Sequence, residues 1–249
     1  MFSQLTPATK NIIIINVIFF VGTFLLQNLN IDLESLLAGY FPLSPNFRSW
    51  QIITHMFMHG SILHIAFNMM TLWSFGPVLE QVLGQKKFLI LYFASGLGGF
   101  ALYNIWNYYE VSQITNFLTS QAYDIHEIYK YADNSYSGEM PISTNSEAVR
   151  DAAQQLFNIL KTPMVGASGA IFGVIAAFST LFPDAKLMFM FIPFPIKAKY
   201  LTPIIIVVSL FLGFRQFSGD NIAHFAHLGG ALIGFLYIWS WKKNRDRIQ

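Results

Sequence analysis

Of the 249 residues, 54% are apolar and only 11% charged, where a soluble protein carries roughly a quarter charged residues, so this chain cannot clothe a water-facing surface. A net charge of +2, with no long basic stretch, argues against a nucleic-acid partner. The absence of cysteine excludes disulfides, thiol nucleophiles and thiolate metal sites.

In chain order, the first apolar run, Ile12 to Leu29, is longer than a signal-peptide core. No small-residue cleavage site follows it, so it reads as a retained span. A bilayer-crossing helix needs roughly 17 to 25 apolar residues, and six segments fit: 11–28, 60–79, 87–106, 163–182, 200–214 and 222–241. Between the fourth and fifth, the run Leu187 to Ile196 is broken by Pro193 and Pro195. Lys186 flanks it on one side, Lys197 and Lys199 on the other. Lysines at both ends predict a segment lying along one membrane interface rather than crossing. The expected fold is therefore an all-α polytopic membrane protein, a single six-helix bundle over 1–249.

Orientation follows from the bias of Lys and Arg toward the cytoplasm. With the N-terminus inside, ten of the fifteen cationic residues fall on inner segments and five on outer ones. Both termini are thus predicted to be cytoplasmic, and short loops suggest a bacterial inner membrane. The compositional break is 107–161, an outer insert holding seven of the thirteen acidic residues. Thr144-Asn145-Ser146-Glu147 matches a helix capping box. After it Val149, Ala152, Ala153, Leu156 and Leu160 recur at helical spacing. An amphipathic outer helix lying on the membrane or the bundle is expected, serving as a lid or docking surface and without chemistry of its own.

Polar residues inside a span are costly and mark candidate sites. In this topology the second, fourth and sixth spans all begin at the outer face. His64 and Asn68 lie four and eight residues into the second, and Ser168 and His227 each about five residues into theirs. At 1.5 Å rise per residue, five residues is roughly 7–8 Å below the surface, so three segments deliver Ser, His, His and Asn to one level. His64 and Asn68 share a helix face. A serine hydroxyl needs a base, usually a neutral imidazole, and amide hydrolysis needs donors aimed at an oxyanion. The side chains of His64 and Asn68 and the backbone N–H of Ser168 could be those donors. No Asp or Glu stands at this depth, which leaves a Ser–His dyad without a third member.

Blander readings exist for each part. Gly166-Ala167-Ser168-Gly169 alone is a common helix-packing pattern, and Gly230-Ala231-Leu232-Ile233-Gly234 is read as one. That motif would draw the sixth span against the fourth and bring His227 to Ser168. His55 and His59 are one turn apart and shallower, suited to structure or hydrogen bonding. Their spacing could hold a metal, but no carboxylate stands nearby. His224 and His227 share a face, so spacing does not choose the base between them.

The blocks His59-Gly60-Ser61-Ile62-Leu63-His64-Ile65-Ala66-Phe67-Asn68-Met69, Gly166-Ala167-Ser168-Gly169 and Ala226-His227-Leu228-Gly229-Gly230-Ala231-Leu232-Ile233-Gly234 resemble, in this order and in a six-helix setting, the signature blocks of the rhomboid intramembrane proteases. The likeness covers roughly 45–106 and 163–241. It implies Ser168 as nucleophile and His227 as base, with an oxyanion hole from His64, Asn68 and the Ser168 amide. Phe172 would stack on the catalytic imidazole, and Gly166, His59 and His224 would line the site. It further implies a partly membrane-inserted first outer loop around Trp50. A transmembrane protein substrate would enter from the bilayer between the second and fifth spans and be cut near the outer face, with no cofactor and no metal. Two departures stand out: Gln51 follows Trp50 where the family commonly has Arg, and the 107–161 insert is additional. A catalytically inactive, client-binding relative is the alternative, and a histidine-based metal carrier a more distant one.

Overall fold

The computed structural model describes residues 5–136, 138, 140–189, 192–215 and 223–245. Its helices are α1 (Pro7–Gln27), α2 (Leu33–Leu37), α3 (Gln51–Thr54) with a 3₁₀ turn at His55–Phe57, α4 (Ile62–Leu83), α5 (Gln85–Ser120), α6 (Ile125–Ala132), α7 (Glu147–Lys161), α8 (Ser168–Leu181), α9 (Ala198–Arg215) and α10 (His224–Arg245). Two strands, β1 (Lys186–Phe189) and β2 (Ile192–Lys197), form an antiparallel hairpin. The chain clusters into two compact units. One is Met1–Val21, Met56–Tyr103 and Gly166–Gln249; the other is Gly22–His55 and Asn104–Val165.

Among the described residues α1, α4 and α5 are long and apolar enough to cross a membrane, and α8 and α9 are shorter apolar helices. In the first unit α8 is the central element, with α4, α9 and α10 all packed on it, and α9 also packs on α10. Met56, Leu72, Leu79, Phe88, Leu91 and Val174 are wholly buried in its core. Large apolar side chains remain uncovered on α4 and α9: Ile62 and Leu63 are 70% and 69% exposed, and Val207 is 65% exposed. Such surface is costly in water and suited to lipid. This is a multi-pass integral membrane protein. Near the end of α4, Glu80 is buried and caps the start of α1, accepting from the N–H groups of Ala8 and Thr9 at 2.8 Å and from the hydroxyls of Thr6 and Thr9. Unpaired N–H groups at a helix start are a natural seat for a carboxylate.

The second unit is held differently. The far part of α5 from Asn104, with α6 and α7, encloses Leu118, Ile128, Ala132, Leu156 and Leu160, all with no exposed surface. Each buried Leu or Ile stabilises by roughly 1.5–3 kcal/mol relative to exposure. The loop before α4 belongs to this same unit. Gly39 and Met164 exchange backbone hydrogen bonds of 2.9 Å. Ser44 donates to the Leu160 carbonyl at 2.6 Å, and Asn46 links the Ala132 carbonyl and the Asn134 N–H at 2.8 and 2.9 Å. Gln51 is fully buried and accepts from the Arg48 N–H at 3.0 Å while donating to the Asn46 carbonyl at 3.2 Å. The Trp50 indole donates to the Leu36 carbonyl at 2.9 Å. With Gln51 in place of Arg, the loop is therefore anchored by an amide that serves as both donor and acceptor.

Several sequence expectations are corrected. The chain is not wholly helical: Lys186–Phe189 and Ile192–Lys197 pair as strands, because Pro193 and Pro195 cannot donate within a helix and the run is rich in strand-forming Phe and Ile. Lys186 pairs with Lys197 across it, so its two ends do meet. The helix of the third span does not end at 106. With no Gly or Pro to stop it, α5 runs on to Ser120, some 54 Å at 1.5 Å per residue. It closes where Ala122 turns to φ 53°. The cap of α7 is Ser146, whose hydroxyl accepts from the Val149 N–H, rather than Thr144. The apolar face of α7 (Val149, Ala153, Leu156, Leu160) is turned into the second unit's own core rather than toward lipid. Ile222, expected to open the sixth span, lies outside the described residues.

Candidate active site

The fourth span was expected from residue 163, but Pro163 and Gly166 delay the helix. Gly166 has φ +119°, a conformation that side-chain-bearing residues rarely adopt. In consequence α8 begins at Ser168, which is its first residue rather than about its fifth. Ala167 at the cap position offers no side-chain acceptor. The N–H groups of Ser168 and its successors therefore point out of the helix start without intrahelical partners.

His227 lies in the first turn of α10, and its Nε2 is 3.0 Å from the Ser168 Oγ. Two close backbone approaches make this possible. A Cβ on Gly230 would overlap the Gly169 carbonyl, and one on Gly234 would overlap the Gly173 carbonyl. Small residues let membrane helices come this near, so Gly230 and Gly234 let His227 reach Ser168. Sequence reading missed a third contributor. A Cβ on Gly99 of α5 would stand 2.7 Å from the Ala226 carbonyl, and one on Gly229 would overlap Gly98. The signal was present in Ser95-Gly96-Leu97-Gly98-Gly99, another run of small residues at packing spacing. Phe172, one turn beyond Ser168, stacks on the His227 ring with centroids 4.0 Å apart and planes 8° from parallel. An aromatic plate thus limits the rotation of the imidazole where a triad would use a carboxylate.

Ser61 starts α4 by accepting from the His64 N–H at 3.1 Å, which sets His64 in the first helical turn. A Cβ placed on Gly166 would lie 2.7 Å from His64 Cε1, 2.8 Å from its Nε2 and 3.7 Å from Asn68 Nδ2. His64 and Asn68 therefore face the backbone that leads into Ser168. The Asn68 Nδ2 is buried with no protein partner among the described residues, a donor left free for something that binds there.

The remaining histidines separate by geometry. His224 is buried and edge-on to His227 at 6.1 Å, while the 3.0 Å contact with Ser168 belongs to His227. His55 lies in the second unit, with its Nδ1 2.8 Å from the Gln51 carbonyl. His59, in the turn ahead of α4, is 6% exposed and edge-on to His64 with centroids 5.0 Å apart. Burial, with the His64 ring beside it, pushes its imidazole down to about 4, so it is neutral at ordinary pH. Neither His59 ring nitrogen makes a hydrogen bond of good geometry among the described residues, although the Phe57 backbone lies close to the ring.

A serine hydroxyl thus lies against an imidazole at a helix start, and His64 and Asn68 face the backbone that leads into it. A sequence model of the Rhomboid domain matches residues 46–114 and 144–244. The chain belongs to the rhomboid family. It is 28% identical over 188 residues to "Rhomboid protein 1, mitochondrial" of Saccharomyces cerevisiae, covering 76% of this chain and 40% of that protein. It is 30% identical over 186 residues to "Presenilin-associated rhomboid-like protein, mitochondrial" of Homo sapiens, covering 73% and 35%. To "Rhomboid protease GluP" of Bacillus subtilis it is 26% identical over 186 residues, covering 75% and 25%. The matched part is thus less than half the length of each of these curated relatives.

Proposed function

We propose that this chain is an intramembrane serine endopeptidase that cuts transmembrane segments near the outer face. The observation that carries the reading is the 3.0 Å contact between Ser168 Oγ and His227 Nε2 at the open start of α8. Ser168 Oγ attacks the scissile carbonyl carbon while His227 Nε2 takes its proton. The Ser168 N–H, His64 and Asn68 hold the oxyanion. His227 then protonates the departing amine, the C–N bond breaks, and an acyl-serine ester remains. Water gives a proton to His227 and attacks the ester, and the proton returns to Ser168 Oγ as the new carboxyl terminus leaves.

Substrate access from the bilayer between α4 and α9 suits helices that both flank α8 and carry exposed apolar side chains. We place the six spans with both termini cytoplasmic, on the distribution of Lys and Arg, in a bacterial plasma membrane. The relatives whose names say mitochondrial match somewhat better than the bacterial one, so the relatives do not support the bacterial compartment. Within the single membrane domain, the insert is read as a lid or docking surface.

The test is cleavage of a model single-span substrate in proteoliposomes by wild type, Ser168→Ala, His227→Ala and His224→Ala. Cleavage by wild type and by His224→Ala, abolished in the other two and indifferent to chelator, is expected. A folded wild type that cuts none of several helix-destabilised substrates would instead assign a client-binding role.

A further inference from the structure

His59 is more than nine-tenths buried, yet among the described residues neither ring nitrogen makes a hydrogen bond of good geometry, although the Phe57 backbone lies close enough to act on the ring. An imidazole always carries hydrogen-bonding nitrogens. Burying both without partners costs free energy that a phenyl ring of similar shape would avoid. Buried polar groups of this kind are usually satisfied by an internal water with two or more partners. The nearest imidazole is His64, whose ring stands edge-on at 5.0 Å. The two rings are in edge-on contact and not directly hydrogen-bonded, so a water that links them has to lie beside the rings rather than between them.

The orientation of His64 says what such a bridge would do. Its Cε1–Nε2 edge faces Gly166, two residues ahead of Ser168. To donate to an oxyanion from that edge, a neutral His64 must carry its proton on Nε2. Its Nδ1 is then an acceptor, and something must donate to it. A neutral His59 can orient a water for that purpose, accepting from it or donating to it through either ring nitrogen.

We propose that His59 is a positioning residue for His64, joined to it through a buried water that donates to His64 Nδ1 and so holds the tautomer with its proton on Nε2. This rests on the protease reading above and assigns His59 a role in turnover rather than in packing. The link is made before substrate arrives, so its loss lowers kcat and leaves KM in place. It is selective for a polar side chain at 59: Gln can hold a water, whereas Phe fills the same space and holds none.

Two measurements on the full chain test this. The first compares wild type, His59→Phe and His59→Gln for kcat, KM and thermal midpoint in proteoliposomes. For His59→Phe, kcat is expected to fall roughly 10-fold or more, short of the ~10²–10³ of losing an oxyanion donor outright, with KM and the midpoint unchanged. His59→Gln is expected to recover most of the loss. Wild-type kcat in His59→Phe, or a loss that tracks the midpoint in both variants, overturns the proposal in favour of simple packing. The second needs no variant at position 59: ¹⁵N spectra of histidine-labelled Ser168→Ala protein should show His64 as a single tautomer protonated on Nε2. A mixture of tautomers, or a proton on Nδ1, overturns the proposal even if a His59 variant fails to fold. Absence of cleavage by folded wild type would sink the protease reading instead, and the spectrum would still report on the bridge.

Discussion

The two units of this chain are stabilised by opposite means. In the first, helices approach until there is no room for a Cβ: Gly230 lies against Gly169, Gly234 against Gly173 and Gly99 against Ala226. Its polar residues (Ser168, His227, His64, Asn68) are gathered at helix starts. In the second, amphipathic helices shed water from Leu118, Ile128, Leu156 and Leu160. Their ends are tied by side-chain caps at Asp124 and Ser146 and by the Asn46 and Gln51 networks. Lipid is as apolar as leucine, so burying leucine gains little among membrane helices and close packing of small residues must serve instead. The second unit, built on amphipathic helices, uses the hydrophobic effect. Substitutions of equal size should therefore act very differently in the two regions.

Gly230→Val should have the largest effect, forcing α10 off α8. Overpacking of this kind costs typically 1–3 kcal/mol or more, and moving a base by about 1 Å lowers turnover about 100-fold. Cleavage assays, with fluorophosphonate labelling of Ser168, measure it; wild-type cleavage in this variant would break the contrast. Leu156→Ala should cost roughly 2–5 kcal/mol by leaving a cavity, seen as faster hydrogen exchange across α6 and α7. Labelling of Ser168 should persist, and its loss would mean that the two units are not separate energetically. Phe172→Leu removes the plate under His227, worth roughly 0.5–1.5 kcal/mol for stacked rings, so kcat should fall about 2- to 10-fold with little change in melting. Smallest, Ser146→Ala should cost about 1 kcal/mol as a lost cap. It would lower protection at the start of α7 without altering cleavage.

Residue pattern alone placed this chain in a membrane and located its main apolar segments to within several residues, the far end of the third excepted, because hydropathy and helical spacing are properties of contiguous residues. The three signature blocks carried the family in the same way. The start of α8 at Ser168 was half legible, since Pro163 and Gly166 are visible breakers, but only the structure shows the serine at the first helical position with its amide open. Helical spacing did not choose between His227 and His224; the family resemblance pointed to His227, and the contact itself depends on how α8 and α10 meet across 59 residues of chain. The joining of the first loop to the 107–161 insert in one unit was not legible, for it rests on hydrogen bonds between residues such as Ser44 and Leu160, 116 positions apart. Local periodicity reports which face of an element is apolar or polar; which distant element covers that face is decided by packing, and in this protein packing brings His227 to Ser168 and builds the second core.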